Sequence, residues 1–369
     1  MTEGLGIEQV NAEGGEIERE AILARMGTEL AVAGPAAREA WPAIRVAAQG
    51  IQERAYRSVI LTGCGDSFYA ATALRSLVEA AAGVPTIAVP AMEAATFPSL
   101  LADRDALLVG ISVSGKVERT IEAVSKHRLR GGATAAISAF TDSNVAGAAD
   151  AAVPTGLRGT PGPVPGTANF LGSMLGIVAI AAELGARAGR PPAWEPAVGD
   201  VLGRLASAVN EGEAHAARIV ATLQPMFCSL GSGQDLGTAW YGVAKFVEAA
   251  AAFGIAQDLE EWAHEQYFTT VPGTTVFVHA TTADASARAR RVSSSVLKVG
   301  ASLVTIGVEP QGLVAEHHWP IADAPEPLRP LVAWVPMAVT ARTYAIHGGR
   351  FPFGIDLPDR MRTVDEDIY

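Results

Sequence analysis

The sequence predicts an α/β fold of two doubly wound parallel sheets in tandem, behind a helical N-terminal lead-in, and three observations carry that expectation. Twice an apolar β-type run breaks into a short glycine turn and then a helix: Val59-Ile60-Leu61-Thr62-Gly63-Cys64-Gly65-Asp66-Ser67, and later Met226-Phe227-Cys228-Ser229-Leu230-Gly231-Ser232-Gly233-Gln234. Strand-like and helical runs alternate around each copy, the pattern of a parallel sheet covered by helices on both faces. At 369 residues the chain is long enough for two domains of ordinary size.

From about Ile17 to Tyr56 apolar residues recur at three- and four-residue spacing, which predicts helix with a break near Gly34-Pro35; residues 1–56 form the lead-in. In the first unit, 57–190, strands are expected at Val59–Leu61, Ile87–Val89, Ala106–Ser112 and Thr134–Ile137, with helices through Leu74 and Val78 and from Val117 to His127. Glycine and proline crowd the stretch from Val153 to Gly166, which is therefore expected to be loop. A long apolar helix from near Asn169 through Ile180 closes the unit, and Gly189-Arg190-Pro191-Pro192 marks a linker. The second unit, 191–350, opens with helix around Val198 to Leu223. Its strands are placed at Pro225–Leu230, Thr275–His279 and Ser302–Ile306, and its helices at Gly237–Ala252, Ala285–Val299 and Leu331–Ile346. Residues 351–369 form a C-terminal tail.

The formal net charge is −11 with no basic run, which argues against a nucleic-acid surface, since binding a phosphate backbone needs clustered Lys and Arg. A single phosphate can still be held by local amides and hydroxyls, because the field that matters is that of the pocket. The two cysteines, Cys64 and Cys228, fall one in each unit and read as small buried residues in a reducing compartment. No Cys/His spacing resembles a zinc site, so neither metal nor cofactor is expected. The N-terminus is polar and acidic without an apolar signal core, and no apolar run of membrane-spanning length lacks Gly, Pro or charge. A soluble cytoplasmic protein without a membrane partner is the expectation.

The glycine turns can aim helix N-terminal amides at an anion or serve only as tight strand-to-helix connections. Ser112-Val113-Ser114-Gly115 follows a strand and precedes a helix, where ligands bind in parallel sheets; its serines suit a phosphate, or serve as ordinary N-caps. Ser67 and Thr120 could add donors and Lys116 a charge. Lys245 and Glu248 are three residues apart on one helix face, the spacing of an ion pair. Their neighbours are apolar, so a carboxylate there is expected to be buried and to need a partner or a task such as proton transfer. His264 stands in a polar-aromatic segment, Glu260-Glu261-Trp262-Ala263-His264-Glu265-Gln266-Tyr267, where a histidine is either structural or catalytic.

These residues resemble the tandem sugar-isomerase (SIS) domain proteins, of flavodoxin-like fold, and within them the isomerase half of glutamine–fructose-6-phosphate aminotransferase. Gly63-Cys64-Gly65-Asp66-Ser67 is similar to the family's Gly-Cys-Gly-Thr-Ser turn, and Ile111-Ser112-Val113-Ser114-Gly115 to its Ile-Ser-Gln-Ser-Gly phosphate loop. The resemblance implies that Cys64, Gly65, Asp66, Ser67, Ser112, Val113, Ser114, Lys116, Val117 and Gly166 line a site for a sugar phosphate. Gly242-Val243-Ala244-Lys245-Phe246-Val247-Glu248 resembles the family's Gly-Ala-Leu-Lys-Leu-Lys-Glu helix, which implies that Glu248, beside Lys245, moves a proton between C1 and C2. His264 falls where the family places a ring-opening histidine reaching in from a second subunit, which implies a homodimer. The segment 358–364 resembles the family's tail over the active site, with Arg362 in place of a lysine; arginine stays protonated and cannot form a Schiff base.

The departures also carry information. Asp66 and Val117 replace family threonines, and Lys116 an acidic residue, so the anion pocket is expected to be reshaped. Nothing N-terminal to Ile17 resembles a glutaminase domain, so glutamine-dependent synthesis is not expected of this chain alone. The resemblance implies a phosphosugar enzyme that deaminates, deglycates or isomerises a 6-phosphorylated amino sugar; an aldose–ketose isomerase without C–N cleavage and a non-catalytic sugar-phosphate sensor are the alternatives.

Overall fold

A computed structural model describes residues 12–97, 103–307 and 314–355. Helix α1 (Ala12–Ala48) leads into β1 (Ser58–Gly63), α2 (Asp66–Ala82), β2 (Thr86–Pro90), α3 (Ala91–Thr96), β3 (Ala106–Ile111), α4 (Glu118–Leu129), β4 (Ala133–Ser138), α5 (Asn144–Ala148), β5 (Ala151–Pro154) and α6 (Ala168–Arg187). Then come α7 (Val198–Gly203), α8 (Leu205–Thr222), β6 (Met226–Leu230), α9 (Gln234–Ala250), β7 (Gly254–Gln257), α10 (Leu259–Trp262), β8 (Thr274–Ala280), α11 (Ala283–Lys298), β9 (Ser302–Gly307), β10 (His317–Trp319), α12 (Pro330–Ala333) and α13 (Val335–His347). The strands form two five-stranded parallel sheets, ordered β2-β1-β3-β4-β5 and β7-β6-β8-β9-β10. The second sheet thus repeats the first strand for strand, and the α/β class read from the sequence is the class observed.

Central strands β3 and β8 are buried at every position, as expected where helices cover both faces and a strand reads as a continuous apolar run. A single core runs between the sheets, joining Val59 and Leu61 of β1 to Phe246 of α9 and Trp334 next to α13. Smaller cores fill the outer faces under α3–α5 and under α10–α11. Helix α6 is long and apolar enough to cross a membrane, but 94% of its most apolar stretch is buried inside the protein.

Several boundaries differ from the sequence reading. Helix α1 runs unbroken through Gly34-Pro35 and carries Pro35 and Pro42 inside it. Tertiary packing overrides the breaker: Gly34 lets the backbone of Leu202 lie so close that a Cβ there would stand 2.7 Å from its carbonyl oxygen. Residues 151–154, the last two of them expected in loop, form β5, whose Pro154 ends an edge strand, where a missing N–H costs no ladder bond. Edge strands β7 and β10 were not anticipated, because four and three residues without an apolar run give no periodicity to read. The expected helix Leu331–Ile346 is interrupted at Trp334, ahead of Pro336 in the first turn of α13.

Candidate active site

In parallel pairing Gly63 is level with Ile111, so the glycine turn and the serine loop meet at the carboxyl edge of the first sheet. Gly65 caps α2 at φ +51°, a backbone that favours glycine, and a Cβ there would meet nothing within 4 Å. Cys64 beside it is exposed, contrary to the expectation of a buried cysteine, because it sits in the turn beyond the strand; Cys228, within β6, is buried. Ser67 and Ser112 are buried, and the Ser112 hydroxyl has no hydrogen-bond partner among the described residues. Ser114 and Lys116 are exposed, with Ser114 Oγ accepting from the Lys116 amide at 3.3 Å. Val113 is half-buried, and Val117 precedes α4 without a side-chain cap. Arg158 lies 4.8 Å over the Phe140 ring, at the same edge of the sheet.

The second unit supplies α9. Its buried stripe runs through Thr238, Tyr241, Gly242, Lys245 and Ala249, the three- and four-residue steps of one helix face. Lys245 is on that stripe and Glu248 just off it. Lys245 is accordingly 0% exposed and Glu248 29% exposed, which corrects the expectation that Glu248 is the deeply buried group. The Lys245 ammonium donates to Asp66 Oδ2 at 2.8 Å and to Glu248 Oε2 at 2.6 Å, joining the first unit's turn to the second unit's helix. Burial alone would favour a neutral amine, but Asp66 and Glu248 outweigh it and raise the lysine pKa. Burial pushes the Asp66 carboxyl up to about 6 against the attraction of Lys245, with Glu248 adding to the rise. Asp66 is therefore a counter-ion to the lysine.

The loop before α6 closes the site from a third side. The Gly166 amide donates to Glu248 Oε2 at 3.3 Å, and its carbonyl accepts from Tyr241 Oη at 2.8 Å. A Cβ at Gly166 would stand 2.7 Å from Asn169 Oδ1 and 3.0 Å from Asp66 Oδ2, so a side chain there would crowd both. Tyr241 stacks on Phe170 and lies 4.9 Å from the Lys245 ammonium. Buried Glu29 of α1 ties the loop down, accepting from the Thr160 amide at 2.6 Å, Thr160 Oγ1 at 3.0 Å and Thr167 Oγ1 at 2.9 Å. Sequence reading missed Glu29 and Tyr241. The signal for Glu29 was a carboxylate in register with Met26, Leu30 and Ala33 on the apolar face of the helix.

One expected residue is not part of this cluster. His264 is 68% exposed and lies 3.6 Å from Glu260 Oε1 on the surface of the second unit. Arg362 and the tail segment 358–364 lie outside the described residues. Among the described residues no group of His, Cys, Asp and Glu is arranged to hold a metal ion.

The SIS domain family profile matches residues 54–156, the span of the first sheet. No curated protein sequence matches the chain. Similar solved structures include the C-terminal domain of glucosamine-fructose-6-phosphate aminotransferase from Francisella tularensis, at TM-score 0.72 and 15% identity, covering 88% of this chain and 97% of that one. A glucosamine-6-phosphate deaminase from Thermotoga maritima gives TM-score 0.72 and 18% identity over 89% of this chain and 96% of that one. A tagatose-6-phosphate ketose/aldose isomerase from Escherichia coli gives 0.72 and 16% over 89% and 94%. At these identities the likeness is one of fold.

Proposed function

We propose that this chain, whose first unit is an SIS domain in a tandem SIS fold, is an enzyme that isomerises a 6-phosphorylated amino sugar and releases its amine. The observation that carries the reading is the buried Lys245 ammonium, which holds Glu248 of one unit against the anion turn of the other. The unpartnered Ser112 hydroxyl supports a phosphate at that turn, with Ser67, Ser114 and Arg158 as further donors. Asp66, engaged by Lys245, takes no part in holding the phosphate.

With open-chain glucosamine 6-phosphate, Glu248 removes the C2 proton, and the electron pair passes to the C1 oxygen, which takes a proton from water as an enolamine forms. The same carboxylate returns the proton to C1, leaving an imine at C2. Water adds to that carbon and ammonia departs, giving fructose 6-phosphate. Lys245 offsets the negative charge that develops on the substrate oxygen. His264, exposed beyond β7, would assist ring opening in a neighbouring copy. Exposed Phe253, Ile255, Tyr267 and Phe268 on β7 and the segments flanking it support that surface as a dimer contact.

The test is an ammonia-release assay on glucosamine 6-phosphate alongside an isomerase assay on hexose 6-phosphates, with thermal shift for binding. Glu248→Gln is expected to keep the ligand-induced rise in melting temperature and to lose turnover by roughly a thousandfold. Turnover without ammonia would reduce the activity to isomerisation. No thermal shift with any 6-phosphosugar, or a fully active Glu248→Gln, would overturn the proposal.

A further inference from the structure

The two units carry two equivalent clefts. Gly65 and Gly233 adopt nearly the same backbone, φ 51°, ψ −128° and φ 61°, ψ −122°, and each opens a 17-residue helix closed by a left-handed residue, Gly83 or Ala251. The helices pack on each other near their starts, where a Cβ on Gly237 would stand 2.4 Å from the Tyr69 carbonyl oxygen. One consequence is the cluster just described, with the first unit's turn against the far half of α9. The reciprocal arrangement sets the second unit's turn against the far half of α2, and there the protein has a cavity of about 650 Å³. It is lined by Ser232, Gly233 and Gln234 from the turn, by Leu77 and Ala80 from α2, and by Thr282 after β8. Leu77 lies ~16 Å along α2 from Asp66, so this space is separate from the Lys245 site.

Aligning α2 with α9 from their capping glycines sets Leu77 against Lys245 and Ala80 against Glu248. The ammonium and the base are thus replaced by apolar side chains, while the cleft persists. The anion cradle has changed too. Ser67 is matched by Asp235, a buried carboxylate that accepts from the amide of Thr281, the first residue after β8, at 2.8 Å and from its hydroxyl. A carboxylate of the protein already occupies the donors that a phosphate would use. Two of the four charged residues lining it are paired: Arg288 with Glu260 at 2.6 Å and Glu326 with Arg329 at 3.4 Å. What remains is a hydroxyl- and amide-bearing wall, an indole from Trp194, the exposed Arg190, whose Nη2 donates to the Ala82 carbonyl at 3.2 Å, and Asp284, which has no salt-bridge partner among the described residues.

We infer that this cavity is a non-catalytic binding site for a sugar without a phosphate group, a neutral hexose or a hexosamine whose ammonium faces Asp284. The inference stands on the cavity and the helix alignment, independently of the reaction assigned to the other cleft.

The test is thermal shift with glucosamine, glucosamine 6-phosphate and inorganic phosphate on the full chain. Millimolar glucosamine is expected to raise the melting temperature of the wild type and of Glu248→Gln alike. Ala80→Trp, at an exposed position facing the cavity, should abolish that rise while leaving the response to glucosamine 6-phosphate intact. Ser76→Trp repeats the block from the neighbouring turn, should the first variant fold poorly. The inference is overturned if glucosamine gives no shift in the wild type, if its shift survives both tryptophan variants, or if it is lost in Glu248→Gln. It is also overturned if inorganic phosphate competes with glucosamine in the wild type.

Discussion

Ser112 and Thr281 are each the first residue after the central strand of their unit, and their hydroxyls are treated in opposite ways. Ser112 Oγ is buried without a partner among the described residues, whereas Thr281 Oγ1 is held by Asp235 and also accepts from Gln234 Nε2 at 2.9 Å. A buried hydroxyl left unpaired costs free energy, so a fold keeps one where something else satisfies it. The repeated turn is divided on that basis: in the first unit the Ser112 hydroxyl is left without a partner among the described residues, and in the second the donors bind the protein to itself.

The sharpest way to break the comparison is Lys245→Met. It leaves Asp66 and Glu248 facing each other without the shared cation, and should cost about 3 kcal/mol of stability and turnover by a hundredfold or more. Denaturant melts and the ammonia assay check both, and a stable, active variant would remove the relay from the site. Next in size is the paired comparison of the two hydroxyls. Ser112→Ala should leave stability within about 0.5 kcal/mol of wild type yet weaken 6-phosphosugar binding about tenfold, while Thr281→Val should cost about 1–2 kcal/mol and leave that binding unchanged.

The smallest effect is a pH dependence. Burial raises the Asp235 carboxyl to about 6, against the hydrogen bonds of Thr281 and the charge of Arg329. Its folded pKa is above the unfolded value, so the folded state binds the proton more tightly. That contribution is full below the unfolded pKa, falls as pH rises toward about 6, and is gone above it. Asp235→Asn should therefore change the slope of stability between pH 4 and 6 by about 1 kcal/mol per pH unit relative to wild type, read from melts across that range.

Much of this division was legible in the chain. The paired strand–glycine–helix runs gave the duplicated α/β fold, because glycine is needed wherever φ turns positive and apolar runs mark strands covered on both faces. The serine loop was legible from its place at a strand's carboxyl end. Lys245 and Glu248 were visible as a helical pair, but the spacing alone did not say which of them faces inward. That followed from the Tyr241–Lys245–Ala249 stripe, fixed only when α9 packs against α2 and α13. The continuity of α1 through Pro35 was hidden for the same reason.

The sequence by itself determined the repeat and the class of fold, and it marked the glycine turns, the serine loop and the Lys245–Glu248 pair, since these depend on local backbone preference and on periodicity, which residues close in sequence express. The tertiary structure alone decided that Asp66 is the partner of Lys245 and that Gly166 reaches Glu248. It also decided that the second turn spends its donors on Asp235 and opens onto a separate cavity. Those outcomes depend on the crossing of two helices from different units, and the charges they bring together are far apart along the chain, where no local pattern links them.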